Sequence, residues 1–287
     1  MQMGRMRAGA VAWLQAAPMA LVLLVFLVAP IVMIAIVSFW RATEFSIIPA
    51  FEFDNYEFLF GSPVTYRVFL NTFKYALITW AFTFVIGFTV AYFLAFHVRT
   101  LTWQIALFLL CTIPFWTSNI IRMISWIPFL GRNGIANSAL ISWGVIDEPL
   151  DWLLFSDFAV ILAFVHLYTL FMVVPIFNTM MRIDKSLIEA ARDAGANGVQ
   201  ILWNVIVPLC KPGIMIGSIF VITLVMGDFI TVRFMSGSQS ANVGRLISND
   251  IALLQYPSAA ATAVVLLGTV LIVIAIMLRF VDIRKEL

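Results

Sequence analysis

Four ionisable side chains interrupt otherwise apolar stretches of this chain: Lys74, Arg122, His166 and Asp228. Within lipid-spanning sequence such residues are costly and mark functional sites by default, although long cations near a span end also snorkel to the interface. No spacing around them suits covalent chemistry. His97 and His166 are the only histidines, and there is no H-E-x-x-H and no G-x-S-x-G. Neither metal-assisted hydrolysis nor a serine nucleophile therefore has its residues. Cys111 and Cys210 form no framework and no metal spacing. A phosphate-cradling G-x-x-x-x-G-K-S/T is absent, so the chain carries no P-loop of its own. The chemistry left is recognition of charge rather than reaction.

Asp228, in VMGDFITVRF, is the most informative of the four. An aspartate at a helix centre costs about 2.5–3.5 kcal/mol on insertion, while each Leu, Ile, Phe or Val returns about 0.3–0.6 kcal/mol. Eleven such residues lie between Gly213 and Val232, worth roughly 3–7 kcal/mol together, so a span tolerates the acid. Two readings stand. Asp228 neutralises Arg122 or Arg233, or it faces a pathway and attracts a cationic solute. In the second reading Trp116, Trp126 and Tyr168 add cation–π contacts, although the same aromatics also suit an interfacial belt. His166 reads as a packed, hydrogen-bonded residue or as a pathway residue. Lys74 and Arg122 read as snorkelling cations, with Arg122 also a pathway candidate.

A second constellation is EAARDAGANGVQILWNVIVP, residues 189–208, a charged and glycine-punctuated segment between two apolar stretches. Ser186 and Glu189 have capping-box spacing, which starts a helix at Leu187. Leu187, Ala191 and Ala194 then share one face. Gly195 and Gly198 offer the left-handed backbone that ends the helix. A second helix is expected over 199–207, with Val199, Leu202 and Ile206 on one face, stopped by Pro208 and Pro212. Such a helix–turn–helix either lies on lipid or docks into a groove of a cytoplasmic partner.

The elements that must position these residues follow from composition. Of the 287 residues 63% are hydrophobic and 11% charged, against about 25% charged in soluble domains. This is the composition of an all-α integral membrane protein, and a net charge of +2 argues against nucleic acid as a partner. Six apolar runs reach the length needed to cross a bilayer, at 16–40, 69–96, 104–127, 157–181, 213–232 and 259–281. The first follows Arg5 and Arg7 like a signal peptide, but it is too long and lacks a small-residue cleavage site, so it is expected to remain as an anchor. With the N-terminus inside, ten basic residues fall in cytoplasmic segments (Arg5, Arg7, Arg99, Arg182, Lys185, Arg192, Lys211, Arg279, Arg284, Lys285). Five fall outside (Arg41, Arg67, Arg132, Arg233, Arg245). The positive-inside rule thus places both termini in the cytoplasm. The aromatic loops 41–68 and 128–156 are expected to fold as short helices over the outer face. Pro114 and Pro175 predict kinks within spans three and four.

Glu189-Ala190-Ala191, then Gly195, then Val205-Ile206-Val207-Pro208 resembles the EAA loop of ABC importer permeases, whose pattern is EAA, three residues, G, nine residues, I, one residue, LP. Val205 and Val207 stand where that pattern has Ile and Leu. CTIPFWTSNIIR (111–122), GRNGIANSAL (131–140), WGVIDEPL (143–150) and IDKSLIEAARDAGA (183–196) are similar to permease subunits of spermidine/putrescine-type importers, more to the first permease than to the second. The resemblance implies a type I importer permease fold with a permease core over 67–281, preceded by an anchor region at 1–66 and followed by a tail at 282–287. It implies that Glu189, Ala190, Ala191, Asp193, Gly195 and Pro208 belong to a coupling segment (186–208) seated on an ATPase. The implied partners are a second, related permease, two ATPase subunits that hold ATP and Mg, and a periplasmic solute-binding protein, all at the bacterial inner membrane. No cofactor is expected in this chain. The competing functions are an ATP-independent secondary transporter, which would have no use for such a loop, a membrane-embedded enzyme, and a permease for an opine or another amine.

Overall fold

A computed structural model describes residues 15–43 and 46–279. The basic residues Arg5, Arg7, Arg284 and Lys285, the acidic Glu44 and the tail 282–287 lie outside the described residues. Two compact units divide the chain. One comprises the described residues up to Ser62 with Ile247–Leu267, the other Pro63–Leu246 with the described residues from Gly268 on.

In the first unit, helix α1 (Gln15–Val37) is long and apolar enough to cross a membrane and buries none of its most apolar window. Arg41–Ala42 (β1) and Ile47–Ile48 (β2) then pair antiparallel, Arg41 opposite Ile48. Helix α2 (Asp54–Gly61) follows. The expectation of helices alone over 41–68 therefore needs correcting, because a small hairpin precedes the helix. Ring contacts explain the order of this segment: Phe39 stacks on Phe51 at 4.8 Å and meets Phe53 edge-on at 5.3 Å, a favourable pair of geometries.

In the second unit, α3 (Pro63–His97) is followed by α4 (Leu101–Trp116), α5 (Asn119–Leu130), α6 (Ile135–Ser142), α7 (Asp157–Met180), α8 (Lys185–Asp193), α9 (Gly198–Gly227) and α10 (Ile230–Met235). Helix α11 (Val243–Ala252) and helix α12 (Tyr256–Arg279), the last long apolar helix, complete the described chain. Helices α3, α7 and α9 pack against one another as the core. On α7 the buried residues Val160, Ala163, Phe164, Leu167 and Met172 recur at the helical period. Glycine permits the closest approach: a Cβ on Gly217 would lie 2.8 Å from Met172 Sδ, and one on Gly213 2.6 Å from the Pro175 carbonyl oxygen.

Two expected spans need correction. The run at 104–127 is no single helix: α4 and the α5–α6 pair are bent by 88° across Thr117–Ser118. Pro114 removes a backbone donor, the last turn tightens to 3-10 geometry at Ile113–Trp116, and Thr117 is extended. The run at 213–232 instead begins at Gly198 and stops at Gly227. Pro175 behaves differently from Pro114, since it lies inside an unbroken α7.

Candidate functional site

The segment 183–208 folds as two capped helices joined by a tight corner. The cap of α8 is Asp184, whose Oδ1 accepts from the Ser186 amide at 3.0 Å. The Ser186/Glu189 box is thus corrected to a cap two residues earlier, because Asp184 holds the extended conformation a cap requires. That backbone hydrogen bond also holds the Asp184 carboxyl below the ordinary aspartate range. At the other end Gly195 has φ +85°. Its amide donates to the Arg192 carbonyl at 2.8 Å and that of Ala196 to Ala191 at 3.0 Å, the paired bonds of a Schellman motif. Gly198 does not share the left-handed conformation. It opens α9, behind a reciprocal capping box in which the Gln200 amide donates to Asn197 Oδ1 at 2.9 Å and the Asn197 amide to Gln200 Oε1 at 2.8 Å.

Pro208 and Pro212 do not stop this second helix, which continues to Gly227. A π turn at Leu202–Ile206 precedes them, with the Val207 amide bonded five residues back to Leu202. The widened turn relieves the clash of the Pro208 ring with the preceding turn. It also changes the buried face. Ile201, Ile206 and Cys210 face inward while Val199 is 66% exposed, in place of the expected Val199, Leu202 and Ile206. Leu187, Val199 and Trp203 are exposed apolar residues of this segment, and Glu189, Ala190, Asp193 and Ala194 are exposed with them, while Ala191 is half-buried. Behind them is a hollow of about 220 Å³ lined by Tyr92, Phe96, Lys185, Glu189, Arg192 and Ile206 among others.

Asp228 lies just past the end of α9, not at a helix centre. Its Oδ2 accepts from the Tyr168 hydroxyl at 2.6 Å and from Thr231 Oγ1 at 2.6 Å, and its Oδ1 accepts from the Thr231 amide at 2.9 Å. The Asp228 carbonyl oxygen accepts from Asn242 Nδ2 at 2.7 Å. No ion pair reaches Asp228 from Arg122 or Arg233 among the described residues. Asp228 and Tyr168 line a hollow of about 380 Å³ with Asn119, Met123, Thr223 and Phe229. A second, aromatic hollow of about 520 Å³ is lined by Trp116, Phe108, Phe115, Phe171 and Phe220. Trp116, at the bend of the broken span, is 79% exposed.

Arg122 and His166 line a third cavity and not the one at Asp228. The structure therefore brings Asp228 and Tyr168 into one hollow, whereas Trp116 lines another and Arg122 and His166 a third, Arg122 bonding Asn119 of the Asp228 hollow. His166 is hydrogen-bonded, its Nδ1 accepting from Trp126 Nε1 at 3.0 Å.

One cluster escapes sequence reasoning. Asp157, first residue of α7, accepts from Lys74 Nζ, from the Tyr75 hydroxyl at 2.5 Å and from Ser240 Oγ at 2.6 Å. Lys74 is thus an ion-pair partner rather than a snorkelling cation. Its in-span charge was a usable signal, but nothing in the spacing joins position 74 to positions 157 and 240.

Comparison with known proteins agrees with this architecture. Residues 102–285 match the family of binding-protein-dependent transport system inner membrane components. The spermidine/putrescine transport system permease protein PotB of Escherichia coli K12 is 36% identical over 251 residues, covering 86% of this chain and 88% of that protein. PotB of Haemophilus influenzae is 32% identical over 231 residues, covering 79% of each. In fold, the chain is similar to one in the crystal structure of a bacterial alginate ABC transporter in complex with an alginate pentasaccharide-bound periplasmic protein. The TM-score is 0.77 at 16% identity, over 96% of this chain and 94% of that one. A multi-helix membrane core, a capped loop with the EAA spacing and this breadth of match lead to one assignment: the chain belongs to the family of binding-protein-dependent transport system inner membrane components, the ABC importer permeases.

Proposed function

We propose that this chain is the permease subunit of an ATP-driven importer of polyamines or related cationic amines. It forms half of the translocation pathway beside a second, related permease. Two ATPase subunits, which hold ATP and Mg, engage the exposed loop at Glu189–Pro208, and a periplasmic binding protein delivers the solute. Both termini face the cytoplasm in this reading, and the transport core occupies 67–281. The chain itself performs no hydrolysis.

The observation that carries the cationic class is the Asp228 carboxylate. It lines a hollow, it is held by hydroxyl and amide donors, and no cation pairs with it among the described residues. Donors that carry no net charge leave its negative charge available to an ammonium group. The exposed ring of Trp116, in the aromatic hollow, offers a cation a π face. Arg122 and His166 line a neighbouring cavity, and a guanidinium repels a cation rather than attracting one.

The test is uptake of radiolabelled spermidine by proteoliposomes holding the assembled transporter. Asp228→Asn removes the charge and keeps one of the two acceptor oxygens, with an amide NH2 in place of the other. Uptake at limiting spermidine is expected to fall about tenfold, corresponding to about 1.4 kcal/mol, with subunit assembly and basal ATPase activity retained. Unchanged uptake would remove Asp228 from the pathway. Failure of assembly, restored by loss of an arginine, would return it to a structural role.

A further inference from the structure

The third cavity has a polarity that the transport reading does not use. It measures about 350 Å³ and runs along α7 from Leu162 to Val173, about 16 Å at 1.5 Å per residue. Its polar groups, Arg122 and His166, lie between the two ends, His166 one turn in from Leu162. The end toward Val173 is apolar, where Ile86 and Val90 of α3 meet Leu170 and Val173 of α7. These residues stand at the same level, because Gly87 packs directly on Met172. The rim is open, with the apolar Ile86 41% and Phe115 50% exposed.

Arg122 is the anomaly. The residue is 9% exposed, and its Nε has no hydrogen-bond partner. Nη2 donates to the neutral Asn119 Oδ1. No carboxylate pairs with it among the described residues. A buried, unpaired guanidinium in a membrane segment is expensive and calls for an anion. His166 supplies a second donor. Indole nitrogen only donates, so His166 Nδ1 is the acceptor of the Trp126 bond and the proton of the neutral ring sits on Nε2. No Asp or Glu lines the cavity, so an ammonium headgroup finds no partner there.

We propose that this cavity binds an anionic phospholipid of the surrounding bilayer, its phosphate on Arg122 and His166 and one acyl chain along α7 toward Val90 and Val173. The planar guanidinium matches a phosphate, and the slot behind it is apolar over the reach of a chain segment. The site adjoins the hollow at Asp228 through Asn119, which Arg122 bonds and which lines that hollow.

The test uses the full-length chain with the subunits that copurify, in nanodiscs of equal phosphatidylglycerol and phosphatidylethanolamine. Native mass spectrometry after mild activation reads the retained lipid. Wild type is expected to keep one phosphatidylglycerol about fivefold over phosphatidylethanolamine, the attraction of one basic residue for an anionic headgroup. Arg122→Gln should bring the ratio to parity. Val90→Phe, which keeps the arginine and fills the apolar end, should lower retention of both lipids and decides the matter alone where Arg122→Gln fails to fold. Parity in wild type would overturn the proposal. So would an unchanged ratio and retention in the variants, which would place the lipid elsewhere, or a retained free fatty acid in place of phospholipid.

Discussion

Substituting Gly195 separates backbone strain from docking. A Cβ built there meets nothing within 4 Å, so Gly195→Ala introduces no clash. The cost is the left-handed conformation at φ +85°, about 1–2 kcal/mol for an L-residue. That is small beside a total stability of about 5–15 kcal/mol, so the membrane core should form normally. Locally it matters more, because the amides of Gly195 and Ala196 close the end of α8. At 1 kcal/mol the closed corner loses about a factor of five in population. Hydrogen exchange at those two amides should therefore accelerate about fivefold in Gly195→Ala and less in Gly195→Asn, since asparagine tolerates the left-handed region. Gly195→Asp adds a charge at the exposed corner and is expected to abolish copurification of the ATPase and uptake in vesicles, with membrane insertion unaffected. Unchanged exchange in Gly195→Ala, together with full retention and uptake in Gly195→Asp, would refute the claim that this corner orients a docked helix.

Two further outcomes follow from geometry. Gly213→Ala places a methyl against the Pro175 carbonyl oxygen. Parting α7 from α9 should cost about 1–3 kcal/mol, measured as a lower thermal midpoint in detergent, whereas Gly227→Ala, with nothing within 4 Å, should escape that overpacking penalty. The depressed Asp184 carboxyl means that the unfolded chain binds the proton more readily. Its capping contribution is fully present above the unfolded value of about 3.9 and is lost as pH falls through the lower folded value. Protection of the Ser186 amide should decline over that window and become pH-independent in Asp184→Asn.

The long elements were readable because hydrophobic runs of bilayer length need no tertiary information, and five of the six fall mainly on single long helices, the fifth run with shifted bounds. The failures occurred where local signals compete. Ser186 and Asp184 are both good caps, and only the backbone conformation selects between them. A proline normally argues for a stop, yet a π turn that no residue pattern announces carries α9 past Pro208 and Pro212. Asp228 was singled out as an acid that either neutralises Arg122 or Arg233 or faces a pathway, and it was placed mid-helix, whereas it caps the end of α9 with no ion pair from either arginine among the described residues. Of its partners, Thr231 is three residues on, but Tyr168 and the Asn242 that bonds its carbonyl come from separate parts of the chain. The Asp157 cluster was missed for the same reason: contacts across 83 residues leave no spacing to read.

The uninterrupted helix from Gly198 to Gly227 has a mechanical meaning. Its 30 residues make a strut about 45 Å long, with the Asn197 cap at one end and Asp228 at the other. The compliant section, with the π turn and the two prolines, lies near the Asn197 end. Beyond Gly213 the strut is ordinary α-helix, so a displacement that passes the compliant section is delivered at the far end as a shift or tilt. What has to yield there is the bond from Tyr168, which belongs to a different helix. The separation of the Tyr168 hydroxyl from the Asp228 carboxylate is therefore a gauge of how far a push at one end of this helix has travelled to the other.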